Sequence, residues 1–348
     1  MDLLRIFYSP DPSLHPPLGI EARLYFAGLF LSLFLLGCQS PREEPLRLGY
    51  IDWPGYENLY LAQQKGFFRE EKTPLFLKDF SSFSDLMKAL EAGRLDGAAI
   101  SLNEMLLSGL GKEYRIVLVL TASHGADGII GQPEIRSLRD LKHKRVGAEL
   151  NGLGGYVLTR ALQKANMVPS DLIRVNMTAT QEASSAFIEK KVDAVVTFEP
   201  ILSRLINEQK GNLLFTSREI PSEIINVLIF HRDILKSRRG DCLKVLRGYL
   251  KARDFWKRAP EEAIAIMSRR ERVSLNYFRE SLNGILVLDL SANLNYFGLA
   301  DTENYFLETL KSFQAFIEES RLPYEPVSFE NLLSDLQDGT LHVKEKES

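Results

Sequence analysis

The chain has 348 residues, of which 45% are hydrophobic and 26% charged, a globular balance long enough for two cores rather than one. Net charge is −3, with Lys and Arg scattered and no basic tail, which argues against a nucleic-acid partner. Two cysteines make no disulfide framework, and without HExxH, CxxC or paired His the sequence calls for no metal and no cofactor.

The first element in chain order is an apolar run, Leu24–Leu36, preceded by Arg23. At this length it is too short for a membrane-spanning helix of about 20 residues but suits the apolar region of a secretory signal. It ends in Leu35-Leu36-Gly37-Cys38, which resembles the bacterial lipoprotein box, with Leu36 where Ala, Ser or Thr is usual. Residues 1–37 are therefore expected to form a signal peptide whose functional start lies near Arg23. Cys38 is expected to carry the lipid, and residues 38–45 to form a tether. The other cysteine, Cys242, lies among Val245, Leu246, Tyr249 and Leu250 at helical spacing and reads as a buried thiol.

From Leu46 onward, strand-like runs alternate with amphipathic runs. Strands are expected at Leu46–Ile51, Leu75–Phe80, Gly97–Ile100 and Arg115–Leu120, with helices at Tyr56–Phe67, Phe83–Ala92 and Asn103–Leu110. The pattern restarts with strands at Gly128–Gly131, Arg145–Glu149, Leu172–Met177, Ala194–Phe198 and Asn226–His231. Helices at Gly155–Ala165, Glu182–Lys190 and Ile201–Gln209 separate them. After Ile234 helices dominate: Asp241–Arg258, Pro260–Arg269, Ser274–Leu282, Thr302–Ser320 and Phe329–Leu336. The alternation predicts an α/β fold of two lobes, each a mostly parallel sheet flanked by helices, with a helical C-terminal part. Loop-like segments at Ser123–Asp127 and Ile220–Ile224 are the candidate crossings. They divide the chain into 46–125 (first lobe), 126–224 (second lobe) and 225–348 (first lobe again).

Several segments, in order and with matching spacing, carry a resemblance. They are GYIDWPGYENLYLAQQKGFF (Gly49–Phe68), LEAGRLDGA (Leu90–Ala98), GADGII (Gly125–Ile130), IRSLRDLKHKRVGA (Ile135–Ala148) and KKVDAVVTFEP (Lys190–Pro200). Together they resemble type II periplasmic solute-binding proteins of ABC importers, in the branch that binds nitrate, taurine, alkanesulfonates and thiamine pyrimidine precursors. His143 stands where that family usually has Gly. The resemblance runs from about Leu46 to Phe255 and implies two lobes closing on a small molecule. It also implies an ABC permease as partner, an extracytoplasmic location and a monomer; the membrane anchor is expected from Cys38, and the lack of G-x-S-x-G, of a Cys–His nucleophile pair and of a glycine-rich phosphate motif argues against catalysis. An enzyme of pyrimidine or menaquinone-precursor metabolism on the same fold, and a sensor that no longer transports, are the competing readings.

Open α/β sheets bind ligands beyond the carboxyl ends of their strands, so the candidate residues stand in those loops. Trp53 and Tyr56 are aromatics suited to stacking on a planar ligand or covering a cation. Asn151, Gly152 and Gly154 precede a helix whose start can receive an anion. Asp52, Glu104, Asp127, Glu199 and Glu223 bring carboxylates to loops that contain no Arg or Lys, a composition favouring an amine or aminopyrimidine over a sulfonate or nitrate. Asp52 and Glu104 also sit where carboxylates cap helices. Ser101, Asn103, Ser123, His124 and Phe198 complete the set, with His124 at a crossing.

Overall fold

A computed structural model describes residues 44–177, 180–297 and 305–320. The signal, Cys38 and the helix expected at Phe329–Leu336 lie outside these residues. Among the described residues no helix is long and apolar enough to cross a membrane.

Eleven strands are described: β1 (Leu46–Ile51), β2 (Leu75–Phe80), β3 (Gly97–Ser101), β4 (Tyr114–Ser123), β5 (Asp127–Gly131), β6 (Arg145–Ala148), β7 (Ile173–Asn176), β8 (Ala194–Phe198), β9 (Asn212–Thr216), β10 (Ile225–His231) and β11 (Ile285–Val287). They form two sheets, a six-stranded one ordered β11-β4-β10-β3-β1-β2 and a five-stranded one ordered β7-β6-β8-β5-β9. Strands such as β4 and β8 are buried on both faces, as helix-covered sheets require. That is why IVLVL and AVV read as continuous apolar runs.

Both sheets are mixed rather than mostly parallel, and the crossings are the reason. β1 runs parallel to β2 and β3, and β6 runs parallel to β7 and β8. The two strands that follow a passage between sheets run the other way: β5 is antiparallel to β8 and β9, and β10 to β3 and β4. Each crossing therefore delivers the chain into the host sheet against its grain. β9 and β11 were not foreseen; β11 is a three-residue edge strand too short to show a period.

Helices cover the sheets. They are α1 (Glu57–Lys65), α2 (Phe67–Glu70), α3 (Phe83–Glu91), α4 (Leu102–Leu107), α5 (Leu153–Lys164), α6 (Thr180–Ile188), α7 (Ile201–Asn207), α8 (Arg232–Ser237), α9 (Arg239–Arg258), α10 (Pro260–Glu271), α11 (Leu275–Leu282), α12 (Leu290–Tyr296) and α13 (Tyr305–Ser320). Along α9, Cys242, Val245, Leu246 and Tyr249 form one buried stripe against the first sheet, and burial pushes the Cys242 thiol up to about 12. The free Cys242 is thus a packing residue. His143, where the family usually has Gly, adopts φ 61°, the left-handed region that glycine tolerates best.

The crossings are bonded to one another. Ser123 N donates to Ile224 O at 2.9 Å, and the Ser123 and Ser217 hydroxyls lie 2.7 Å apart. Gly125 N donates to Ser217 Oγ at 2.7 Å, with Gly125 at φ 116°, a turn an L side chain adopts only with strain. Helix α13 reaches this region too. Thr309 Oγ1 donates to Ser222 O at 2.7 Å, and Phe313 and Phe316 pack on Tyr156 of α5 with ring centroids 5.7 and 5.0 Å away.

Candidate functional site

All the sheet ends that matter face one cavity, which holds about 640 Å³ of unfilled space, part of it opening to solvent. The carboxyl ends of β1, β3 and β8 supply Ile51, Ser101 and Phe198, and the amino ends of the reversed strands β5 and β10 supply Asp127 and Asn226. Helix α5 contributes Leu153, Gly154 and Val157, and α6 contributes Ala183.

Of the residues the sequence singles out, Trp53, Tyr56, Ser101, Glu104, Asp127, Gly154 and Phe198 line this cavity. Trp53 and Tyr56 meet edge to face with centroids 5.0 Å apart, the indole resting on Gly55. Tyr56 donates its hydroxyl to Asn226 Oδ1 at 2.8 Å. Glu104 and Ser101 form a capping box at the start of α4. Ser101 N and Oγ donate to Glu104 Oε2 at 3.2 and 2.9 Å, and Glu104 N donates to Ser101 Oγ at 3.1 Å.

The other candidates lie elsewhere. Asp52 is exposed and takes a 2.8 Å bond from Arg270. Asn103 is buried off the cavity, with neither amide atom partnered. Ser123 is held in the crossing, and His124 is exposed there with its carbonyl accepting from Arg218 Nε at 3.0 Å. Gly152 caps α5, while exposed Asn151 borders a separate groove beside Phe316. Glu199 spends both oxygens on Ser203, at 3.1 and 2.7 Å, because it precedes α7 and caps it. Glu223 takes a fork of 2.7 and 2.8 Å from Arg160, plus the Tyr156 hydroxyl at 2.6 Å.

Sequence reasoning missed Asn226, Glu149 and Thr197, which line the cavity. Glu149 stands one residue past β6, and a search that had included the first residue of that loop finds it. Asn226 and Thr197 lie inside strands and give no signal of their own.

The electrostatics are one-sided. The cavity wall holds three carboxylates, Glu104, Asp127 and Glu149, and among the described residues no Lys, Arg or His. Burial raises Glu104 to about 7, against the pull of the Ser101 hydroxyl and helped by Glu149. Burial raises Asp127 to about 6 against the Ser123 hydroxyl, and burial alone raises Glu149. Burial also pushes the Tyr56 phenol well up, with Glu104 and Asp127 adding to it. Three buried polar atoms of the wall have no partner: Asp127 Oδ2, Asn226 Nδ2 and Thr197 Oγ1. Such atoms cost about 1–3 kcal/mol each when left unmet, so they mark where a solute's polar groups are wanted.

A second acidic group lies at the edge of the cleft. Asp52, Glu57 and Glu271 each bring one oxygen within 4.8 Å of the others, a donor set suited to a divalent cation. Arg270 already bonds all three, by 2.8 Å to Asp52, 3.5 Å to Glu271 and a shorter contact to buried Glu57, and it stacks on Tyr50 at 4.8 Å. The cation of that cluster is the protein's own.

Residues 39–269 match the model of the NMT1-like family. The chain belongs to the NMT1-like family. A protein of Brucella abortus (strain 2308), described as a candidate binding protein, is 26% identical over 270 residues, covering 76% of this chain and 84% of that one. Among solved structures, the alkanesulfonate-binding protein SsuA from Xanthomonas axonopodis pv. citri, bound to MOPS, superposes with a TM-score of 0.68. It shares 19% identity, over 82% of this chain and 96% of that one. The periplasmic nitrate-binding protein NrtA from Synechocystis PCC 6803 gives 0.67 and 17%, over 88% and 90% of the two chains. The desulfurization enzyme DSZB also shares the fold, with a TM-score of 0.63, 14% identity, and 86% and 99% of the chains covered. This NMT1-like chain therefore has the two-lobed α/β architecture of periplasmic solute-binding proteins.

Proposed function

We propose that this NMT1-like chain is the extracytoplasmic solute-binding subunit of an ABC-type importer, closing on a small amine or aminopyrimidine-like solute. The observation that carries the ligand class is the inner cavity wall: three carboxylates, one with an unpartnered buried oxygen, and among the described residues no cation in that wall. Trp53, Tyr56 and Phe198 add aromatic surface for a planar or cationic group, worth about 0.5–2 kcal/mol per contact.

Closure follows from where the acids stand. Glu104 belongs to the first-sheet side and Glu149 to the second, and Glu149 adds to the burial that raises Glu104. A solute cation between them turns that repulsion into attraction for both halves. Only a ligand with such differential contacts shifts an open–closed equilibrium. The same reading places a cleaved signal at residues 1–37 and a lipid on Cys38, which would hold the domain at a membrane beside its permease.

An alkanesulfonate or nitrate ligand is the second reading, favoured by the start of α5 reaching the cavity through Leu153 and Gly154, since helix N-termini attract anions. Against it, Glu104 already caps α4, and Glu149 packs beside Gly152 at the start of α5. A carboxylate standing beside the start of α5 opposes an anion there by like-charge repulsion. Thermal unfolding against two pools, amines with aminopyrimidines and alkanesulfonates with nitrate, separates the readings. A ligand at 100 times its dissociation constant stabilises by roughly 2.7 kcal/mol. A shift with the first pool alone supports the amine; a shift with the second alone replaces it. Turnover of a pool member would move the chain to the enzyme reading.

A further inference from the structure

Outward from the acidic cavity the cleft continues into a second chamber, with about 1080 Å³ of unfilled space including its mouth. Ile51, Glu104, Glu149 and Phe198 belong to the walls of both, so one ligand can extend from the inner into the outer. The outer wall differs in charge, because Arg204 and Arg272 enter it. Its own outer carboxylates, Asp52 and Glu271, are answered by Arg270 at 2.8 and 3.5 Å. Arg204 is not answered. It stands on α7 just past Pro200, and Nη2 donates to Ser184 Oγ at 3.2 Å. Its Nε is buried without a hydrogen-bond partner, and among the described residues it makes no ion pair. Arg272, exposed and held at φ 56° at the end of α10, offers a second guanidinium in the same wall.

We propose that the solute is a zwitterion, its basic nitrogen seated among Asp127, Glu104 and Glu149 and an anionic group reaching outward to Arg204. The inference rests on the amine reading of the inner cavity and adds the opposite charge at the other end. A planar guanidinium in the chamber wall is suited to receive a carboxylate or phosphonate by charge-assisted hydrogen bonds. The polarity of the cleft, acid inside and arginine outside, also fixes which end of the solute enters first.

The test is calorimetry on the full chain with matched probes: butylamine and hexylamine, the corresponding 4-aminobutyrate and 6-aminohexanoate, 3-aminopropylphosphonate, and butanesulfonate. Each zwitterion is expected to bind at least about tenfold tighter than its amine, the yield of one charge-assisted contact. R204Q should bring that ratio close to one, and R204K, which keeps the charge, should retain part of it. A ratio near one in the unaltered chain, or one that neither Arg204 variant changes, overturns the zwitterion while leaving the amine reading intact. Binding of butanesulfonate with none by the amines or amino acids removes the amine reading, and this inference with it.

Discussion

The Tyr56 hydroxyl donates to Asn226 Oδ1 across 2.8 Å, joining the loop after β1 to the start of β10 inside the cavity wall. The bond spends the amide's acceptor and leaves Nδ2 unpartnered. Y56F keeps the ring and its contact with Trp53 but leaves a buried carbonyl unmet. It should cost about 1–2 kcal/mol of stability and weaken amine binding. Thermal melts and calorimetry on the same preparation check both effects, and a variant unchanged in both would detach the pair from the site.

Asp127 should show opposite signs for stability and binding. Its carboxylate is buried with Oδ2 unpartnered, and burial lifts it to about 6. D127N removes an ionised group that the empty cavity holds at a cost, so the unliganded protein should melt higher. The same change removes the charge proposed to meet the amine and should weaken amine binding by roughly tenfold to a hundredfold. Lower stability together with unchanged affinity would make Asp127 a structural residue.

The pH dependence follows from the same groups. Glu104 at about 7 and Asp127 at about 6 are both raised above their ordinary values of 4.5 and 3.8. The folded state therefore holds more protons than the unfolded one between these limits, and stability from these groups rises as pH falls from about 7 toward 4.5. Asp193 and Asp241 are held below the usual range by Arg145 and by Lys244 with Arg238, and lose their contribution only at lower pH. Amine binding runs the other way, because protons compete for the same oxygens. Unfolding and calorimetry from pH 8 to pH 5.5 should give rising stability of the free protein and falling affinity; parallel trends would sink the acidic-site reading.

Much of the fold was legible because its signals are local. β1, β2 and β8 begin and end where the strand-like runs do. Trp53, Glu104 and Asp127 were legible because a strand end beside a loop is visible in the sequence. Asn226 was not. It lies at the amino end of β10, and only the reversal of that strand brings it to the same edge as the carboxyl ends of β1 and β3. Strand direction is a property of the crossings and leaves no mark on a single run of residues. Glu199 and Glu223 show the converse: both stand in the expected loops, but partners distant or adjacent in the chain, Arg160 and Ser203, claim their oxygens.

The proposed anchoring at Cys38 predicts a labelled lipid. Cells expressing the chain with radioactive palmitate should yield a labelled, detergent-phase protein, and C38A should be unlabelled. Several acyl chains make anchoring stable where a single one binds only marginally. Label retained in C38A would place any acylation elsewhere.

The last expectation concerns the return crossing. Glu223 sits between Ile220 and Ile224, and its carboxylate receives Arg160 in a fork and the Tyr156 hydroxyl, with side chains only 13% and 23% exposed for Glu223 and Arg160. The α13 aromatics Phe313 and Phe316 pack on the Tyr156 ring. The crossing is thus fastened to α5 by charge and to α13 through Ser222. E223Q removes the charge and leaves the guanidinium short of a counter-ion, which should cost about 2 kcal/mol in denaturant unfolding. Replacing both partners by apolar residues, R160M with E223L, should recover part of that loss, because an unpaired buried charge costs more than a pair removed together. Full additivity of the two single substitutions would mean that the fork does not act as a unit and that the crossing is held by its backbone bonds instead.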